Sequence, residues 1–195
     1  MSAHLTMAFA DSIDQSQASF RALLDAMSRP GTIREIAGAD RLAGVPGLSP
    51  AAAAVALTLV DFETPVWLSP AASPCGEWLR FHCGARIVAD PGAARFAFAG
   101  AAETLPDLEA FDLGSDEFPD RAVTLVLDVT SLRGTGWRLS GPGINGMAEF
   151  SAEGVSPAFL AARRSLAVLF PRGLDVIFAA GAQLAALPRT TKVEG

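Results

Sequence analysis

Ala122-Val-Thr-Leu-Val-Leu-Asp-Val129 is the stretch whose reading decides the fold. It is β-branched or aliphatic at nearly every position and shows no polar alternation, a pattern that fits a strand covered on both faces. Such a strand needs a layer above it and a layer below it. The stretch is therefore the best candidate for the centre of a sheet, and the chain around it reads as mixed α/β.

The flanking sequence extends that reading in both directions. On the C-terminal side Trp137 to Ser140 continues as a strand. Ser156-Pro157 then supplies an N-cap and a first-turn proline for a helix to about Leu169, and Leu174 to Ala179 and Gln183 to Leu187 return to extended structure. On the N-terminal side Thr64 to Ser69, Arg80 to Cys83, Arg86 to Ala89 and Arg95 to Ala99 read as short strands, punctuated by Pro70, Pro74, Gly84, Pro91 and Gly92. Ser49-Pro50 opens an alanine-rich helix to Val60 with few polar positions, which should be buried. Phe20, Leu23, Leu24 and Met27 recur at helical spacing, so the first helix spans about Ile13 to Ser28. Asp11, Ser12 or Asp14 could cap it, Pro30-Gly31 stops it, and a short extended piece follows over Thr32 to Ile36. Glu103, Asp107, Glu109, Asp112, Asp116, Glu117 and Asp120, mixed with Pro106 and Pro119, predict a solvated loop with one short helix.

Composition narrows function by what is scarce. The 195 residues are half hydrophobic, enough to bury roughly 70% of the surface that the unfolded chain exposes, and one compact domain over 1–195 is expected. A net charge of -6 disfavours a polyanion-binding surface, so nucleic acid is not expected as a partner. Met1 to Asp11 show neither a positive n-region nor a long apolar h-region, which makes a cytoplasmic location the default. The longest uncharged stretch, Leu42 to Val60, is broken by Gly44, Pro46, Gly47 and Pro50; what remains continuous is too short to span a bilayer. Of fifteen basic residues only Lys192 is a lysine, and there are two histidines, two cysteines and no tyrosine. A chain so poor in groups for proton transfer and covalent chemistry works with carboxylates or hydroxyls, shares a site with another chain, or binds without reacting.

The motifs fit those options. Gly141-Pro-Gly143-Ile-Asn-Gly146 matches G-x-G-x-x-G and follows a strand. However, Pro142 has no amide hydrogen for a pyrophosphate, and no opening helix or ribose-binding acid follows, so a tight turn is the better reading. The lone lysine excludes a phosphate loop of the G-K-[ST] type. A pyridoxal phosphate enzyme needs a buried lysine for its Schiff base, and Lys192 lies in Arg189-Thr-Thr-Lys192 near the C-terminus. That segment reads either as solvated tail or as an anion or partner contact through Arg189, Thr190, Thr191 and Lys192. His82, set in Leu79-Arg80-Phe81-His82-Cys83, is a half-buried structural imidazole or a general base; strand alternation would place it opposite Phe81. Asp61 is a helix-ending turn residue or a catalytic carboxylate. Without a second internal histidine no metal site is expected. Cys75 and Cys83, eight positions apart, read as ordinary thiols, a disulfide between them remaining open. Arg163-Arg164 reads as a solvated helix face or a partner-facing pair, and Trp67 and Trp78 as core or contact residues.

Seven ordered segments carry a family resemblance. Phe20-Arg21 with Leu24, Ala26-Met27-Ser28 and Pro30-Gly31; Thr64-Pro-Val-Trp-Leu-Ser69; Leu79-Arg80-Phe81-His82; Leu125-Val-Leu-Asp-Val129; Arg138-Leu-Ser-Gly-Pro-Gly-Ile144; Phe170-Pro-Arg-Gly-Leu-Asp-Val-Ile177; and Leu187-Pro-Arg-Thr-Thr191 resemble the H subunit family of the bacterial carbon-phosphorus lyase system over nearly the whole chain. The resemblance implies a three-layer α/β/α sandwich with a mixed sheet, similar to pyridoxal phosphate-dependent transferases but without the pyridoxal site, and no cofactor of its own. It implies a homodimer when alone and a larger assembly with the G, I and J subunits. It also implies joint action with the G, I and L subunits to displace adenine from ATP by an alkylphosphonate, giving a ribose 1-phosphonate 5-triphosphate, while iron-sulfur radical chemistry belongs to the J subunit. No catalytic residue carries over from the family. Two function classes follow: an obligate subunit of a phosphonate-activating complex, inactive alone, or a free-standing small-molecule enzyme or anion-binding protein using His82, Asp61 or the Arg189 to Lys192 segment.

Overall fold

A computed structural model describes residues 3–103 and 105–194; Met1 and Ser2, part of the stretch read for a leader, lie outside the described residues. The elements run α1 (Ser12–Ser28), β1 (Arg34–Glu35), α2 (Pro50–Leu59), β2 (Pro65–Leu68), α3 (Gly76–Cys83), β3 (Arg86–Val88) and β4 (Phe96–Gly100). They continue as β5 (Thr124–Asp128), β6 (Leu132–Ser140), β7 (Ala148–Ala152), α4 (Pro157–Ser165), β8 (Asp175–Ala180), β9 (Gln183–Leu187) and β10 (Lys192–Glu194), with short 3₁₀ turns between.

The quoted strand is β5, fourth of seven in the order β1-β9-β8-β5-β4-β2-β3. Strands β3, β2, β4, β5 and β8 are mutually parallel, and β9 pairs antiparallel with both β8 and β1. Successive residues of β5 enter different cores, as a strand covered on both faces requires. Val126 packs with α1, α2 and α3 on one face, whereas Leu125 and Leu127 pack on the other. Helix α2 can lie close on the first face because Ala51 through Ala56 are all buried and mostly a single methyl in size.

The second face differs from a helical layer. A three-stranded antiparallel sheet, β10-β6-β7, covers it together with α4, contributing Leu132, Leu139, Phe150, Leu160 and Val193. The fold is thus mixed α/β with a large mixed central sheet and, among the described residues, four α-helices, but one outer layer is itself largely β. Phe178, Phe150 and Trp137 pack edge-on or tilted across that interface with centroids 5.7 to 6.2 Å apart, a spacing at which ring pairs add to simple burial. The 141–146 turn joins β6 to β7 and opens no helix.

Several elements correct the sequence reading. Arg80 to Cys83 is the end of a helix, not a strand. Cys75, Trp78 and Leu79 are buried at i, i+3 and i+4, and Gly84 at φ +64° closes the turn with its N–H 3.2 Å from the Arg80 carbonyl. On α1 the apolar residues divide between two faces. Leu23 and Ala26 are buried, while Ile13, Phe20 and Leu24 are exposed. The acidic segment is not wholly solvated, because Leu108 and Phe111 enter the second core and Phe111 meets Trp67 edge-on at 5.5 Å. Trp67 and Trp78 are both core residues. Arg163 is buried rather than on a solvated face. Strands β7 and β10 and the first half of β6 add to the elements that the sequence pattern indicates.

Candidate functional site

The carboxyl ends of β2, β4, β5 and β8 lie along one edge because the strands are parallel, and in open α/β sheets that edge is where ligand crevices form. Two recesses meet there over Ala101, Ala102 and Gly154. One, of about 360 Å³, is lined by Ser49, Gly100, Asp128 and Glu153. The other, of about 400 Å³, is lined by Glu103, Asp107, Leu108, Leu127, Phe159 and Ala162 among others. No arginine or lysine lines either recess among the described residues.

Asp128 ends β5 at the floor of the first recess. Its Oδ2 accepts the Ser49 N–H at 2.9 Å, where α2 begins, and its Oδ1 is buried with no partner among the described residues. Burial pushes the Asp128 carboxyl above its ordinary value, against the smaller opposing effect of Ser49. Glu103 lies on the other side of Gly100, the register partner of Asp128. Its Oε2 accepts from the Gly100 N–H at 3.0 Å and from the Ser69 hydroxyl, and its Oε1 accepts from the Ala71 N–H at 2.8 Å. Partial burial works against its charge, but the three hydrogen bonds together outweigh it and hold Glu103 below the usual carboxylate range. One carboxyl is thereby biased toward the protonated form and its neighbour toward the ionised one, an arrangement that can donate a proton or hydrogen bond from one and accept at the other.

The residues singled out from sequence lie elsewhere, and neither His82 nor Asp61 lines the cleft. The His82 Nε2 is 3.1 Å from the Leu5 carbonyl oxygen and its ring packs 5.1 Å from Trp78; burial lowers its basicity despite that contact. Beside it, the Trp78 Nε1–H donates to the Met7 carbonyl at 2.8 Å, so the pair fastens the N-terminal segment. Asp61 is exposed in the turn into β2. Its Oδ1 accepts from the Thr64 hydroxyl at 2.6 Å and from the Glu63 N–H at 3.0 Å, and those bonds, Thr64 first, lower its pKa. Arg189 is committed to Asp175 through Nη2 at 2.7 Å and Nε at 3.3 Å, and to the Pro119 carbonyl at 2.6 Å. Thr190 is half-buried and Thr191 is buried with its hydroxyl unpartnered among the described residues, while Lys192 is exposed on β10 opposite Ser140. Cys75 and Cys83 are free thiols, each pushed up to about 12 by burial. No group of three His, Cys, Asp or Glu side chains suited to a metal occurs among the described residues. No helix among them is long and apolar enough to cross a membrane.

The sequence reading missed Asp128, Glu103, Ser49 and Ser69 as site residues. A signal for Asp128 was present: it is the carboxylate that ends an otherwise apolar buried strand.

The sequence model of the family described as bacterial phosphonate metabolism protein (PhnH) matches residues 7–194. The chain belongs to the PhnH family. A PhnH relative from Rhizobium meliloti (strain 1021), named alpha-D-ribose 1-methylphosphonate 5-triphosphate synthase subunit PhnH, is 40% identical over 96% of this chain and 94% of its own length. HtxG of Stutzerimonas stutzeri, named as a candidate C-P lyase subunit protein, is 32% identical over 92% of this chain and 86% of its own. The PhnH match takes in every strand of both sheets, and with them both carboxyl groups of the cleft.

Proposed function

We propose that the chain is a non-autonomous subunit of the carbon-phosphorus lyase system of organic phosphonate catabolism. It is needed with the G, I and L subunits to form alpha-D-ribose 1-methylphosphonate 5-triphosphate from ATP and methylphosphonate. The observation that carries this reading is the 40% identity, across almost the full length of both chains, to a protein named as a subunit of that synthase. The proposed partners are the G, I and J subunits, with a homodimer when the chain is alone and one domain spanning 1–195, in the cytoplasm.

Exposed apolar side chains support an assembled subunit. Ile13, Phe20 and Leu24 form a stripe on α1, and Phe62 and Phe81 stand out near the ends of α2 and α3. The parallel core of the sheet is in keeping with a fold related to pyridoxal phosphate-dependent transferases. The residues at the cleft do not fit that cofactor, since Lys192, the only lysine of the chain, is exposed on β10 and lines neither recess. Asp128 and Glu103 favour a direct contact between this subunit and a polar part of a reactant.

Reconstitution tests the proposal. Purified chain alone should give no turnover of ATP with methylphosphonate, and a mixture of the G, I and L subunits should give none until the chain is added. Full-rate synthesis without the chain, or turnover by the chain alone, would overturn it.

A further inference from the structure

A separate concavity lies where α4, the 170–174 turn and the turn between β9 and β10 meet. It is only about 10 Å³, and Arg163, Arg172 and Arg189 all line it. That is the size of one water-sized sphere. Two of the three guanidiniums have a carboxylate. Arg189 is paired with Asp175, and Arg172 Nε lies 3.3 Å from the exposed Asp116, close enough for charge pairing but without hydrogen-bond geometry, so that this Nε has no hydrogen-bond partner among the described residues. Arg163 has none within 4.0 Å among the described residues, although it is 6% exposed. Its Nη1 donates to the Thr191 carbonyl at 2.9 Å, and its Nη2 to the carbonyls of Leu187 at 3.3 Å and Pro188 at 2.6 Å. Its Nε is buried without a hydrogen-bond partner among the described residues, as is the Thr191 hydroxyl.

Backbone carbonyls satisfy hydrogens but supply no net negative charge, and a buried cation left without one is costly. Burial accordingly brings the Arg163 guanidinium down to about 10, with Asp175 opposing only in part. The cleft at the strand ends offers a contrast, since among the described residues the charged side chains lining it are all carboxylates.

We propose that the three-arginine cavity is an anion site, taking a halide or a single terminal oxygen of a phosphate or phosphonate. Arg163 anchors the anion from below and Arg172 closes over it from the side nearer solvent. The volume is that of one water-sized oxygen, so the larger halide enters only as the partly exposed Arg172 side chain shifts outward, and the rest of an oxyanion would remain outside in the open recess of about 300 Å³ lined by Phe170, Pro171, Arg189 and Asp120. The site is independent of whether the chain works as a subunit, so failure of one reading leaves the other standing.

Crystals of the full chain soaked in sodium bromide, with anomalous data, and melting curves in bromide against gluconate at equal ionic strength form the test. We expect a bromide peak within hydrogen-bond distance of Arg163 Nε, and a melting temperature that rises with bromide. Arg172→Gln, at a partly exposed position, should weaken the bromide response at least tenfold, as loss of a charged hydrogen bond does. Arg163→Gln should abolish the response if it folds; the wild-type peak and the Arg172 variant decide the matter if it does not. Displacement of bromide by methylphosphonate assigns the site to oxyanions, and its persistence assigns the site to halides. A water in the cavity with no anomalous signal, bromide only at exposed arginines, or identical melting in the two salts would overturn the proposal.

Discussion

Replacing Asp175 by alanine should unfold the junction between β8 and the segment that leads to β10. The Asp175 carboxylate accepts three contacts from one residue: the Arg189 N–H at 2.7 Å, Nη2 at 2.7 Å and Nε at 3.3 Å. The two side chains are 15% and 17% exposed, too little for water to take over the lost partner. Removing one member of a buried charged pair typically costs about 3–5 kcal/mol, because the other charge stays behind. Here the abandoned guanidinium keeps the Pro119 and Pro171 carbonyls at 2.6 and 3.4 Å, which places the loss at the lower end, about 3 kcal/mol. With a urea slope of about 2–3 kcal/mol per molar, the midpoint should fall by roughly 1–1.5 M. Fluorescence of the buried Trp67 and Trp78 reports the transition. The double variant Asp175→Ala/Arg189→Ala should lose less than the sum of the two single variants, since it removes the orphaned charge as well. A loss below about 1 kcal/mol at unchanged slope would mean that the pair acts like an exposed one, and the reasoning would fail.

Three further outcomes follow from particular residues. Gly143 sits at φ +82°, and an added Cβ would run into the Ser28 carbonyl oxygen, whereas Gly146 at φ +77° faces open space. Gly143→Ala should therefore lower the melting temperature clearly more than Gly146→Ala, whose strain alone is worth about 1–2 kcal/mol; equal effects would contradict the contact between this turn and α1. For Asp128 the folded pKa lies above the unfolded 3.8, so the stability this group lends is present below that value and is lost as pH rises through the folded one. Asp128→Asn should accordingly gain stability relative to the parent as pH climbs from about 4 toward 7; a pH-independent difference between the two denaturation series would refute it. With both thiols near 12, the thiolate fraction of Cys75 and Cys83 at pH 8 is about a thousandfold below that of a thiol at its ordinary value of 9.0. A thiol reagent should thus label the folded protein far more slowly than the denatured one, and rapid labelling of both cysteines in the native state would show that they are not shielded.

The extent to which this fold is legible in its sequence depends on how far each signal reaches. The β5, β8 and β9 strands are readable because each is a local pattern of five or more residues, and the Ser49-Pro50 and Ser156-Pro157 starts because an N-cap and a first-turn proline stand side by side. Arg80 to Cys83 misleads because four residues hold barely one helical turn. Widening the window to Cys75 brings in the i, i+3, i+4 spacing and the closing Gly84. Strand β10 is three residues long and exists only through its pairing with β6, a contact across some fifty positions that no local pattern announces. The cleft is harder still, because Ser49, Ser69, Glu103 and Asp128 are neighbours only once parallel strands bring their ends to one edge. Arg163 shows where residue type and periodicity disagree. As half of an arginine pair it looks solvated, yet it lies three positions from both Leu160 and Leu166, which are buried, and that spacing alone points position 163 inward. On this helix the periodicity prevails: α4 lays a cation over the chain leading into β10, which meets it with three backbone carbonyls and brings no carboxylate of its own into contact with it.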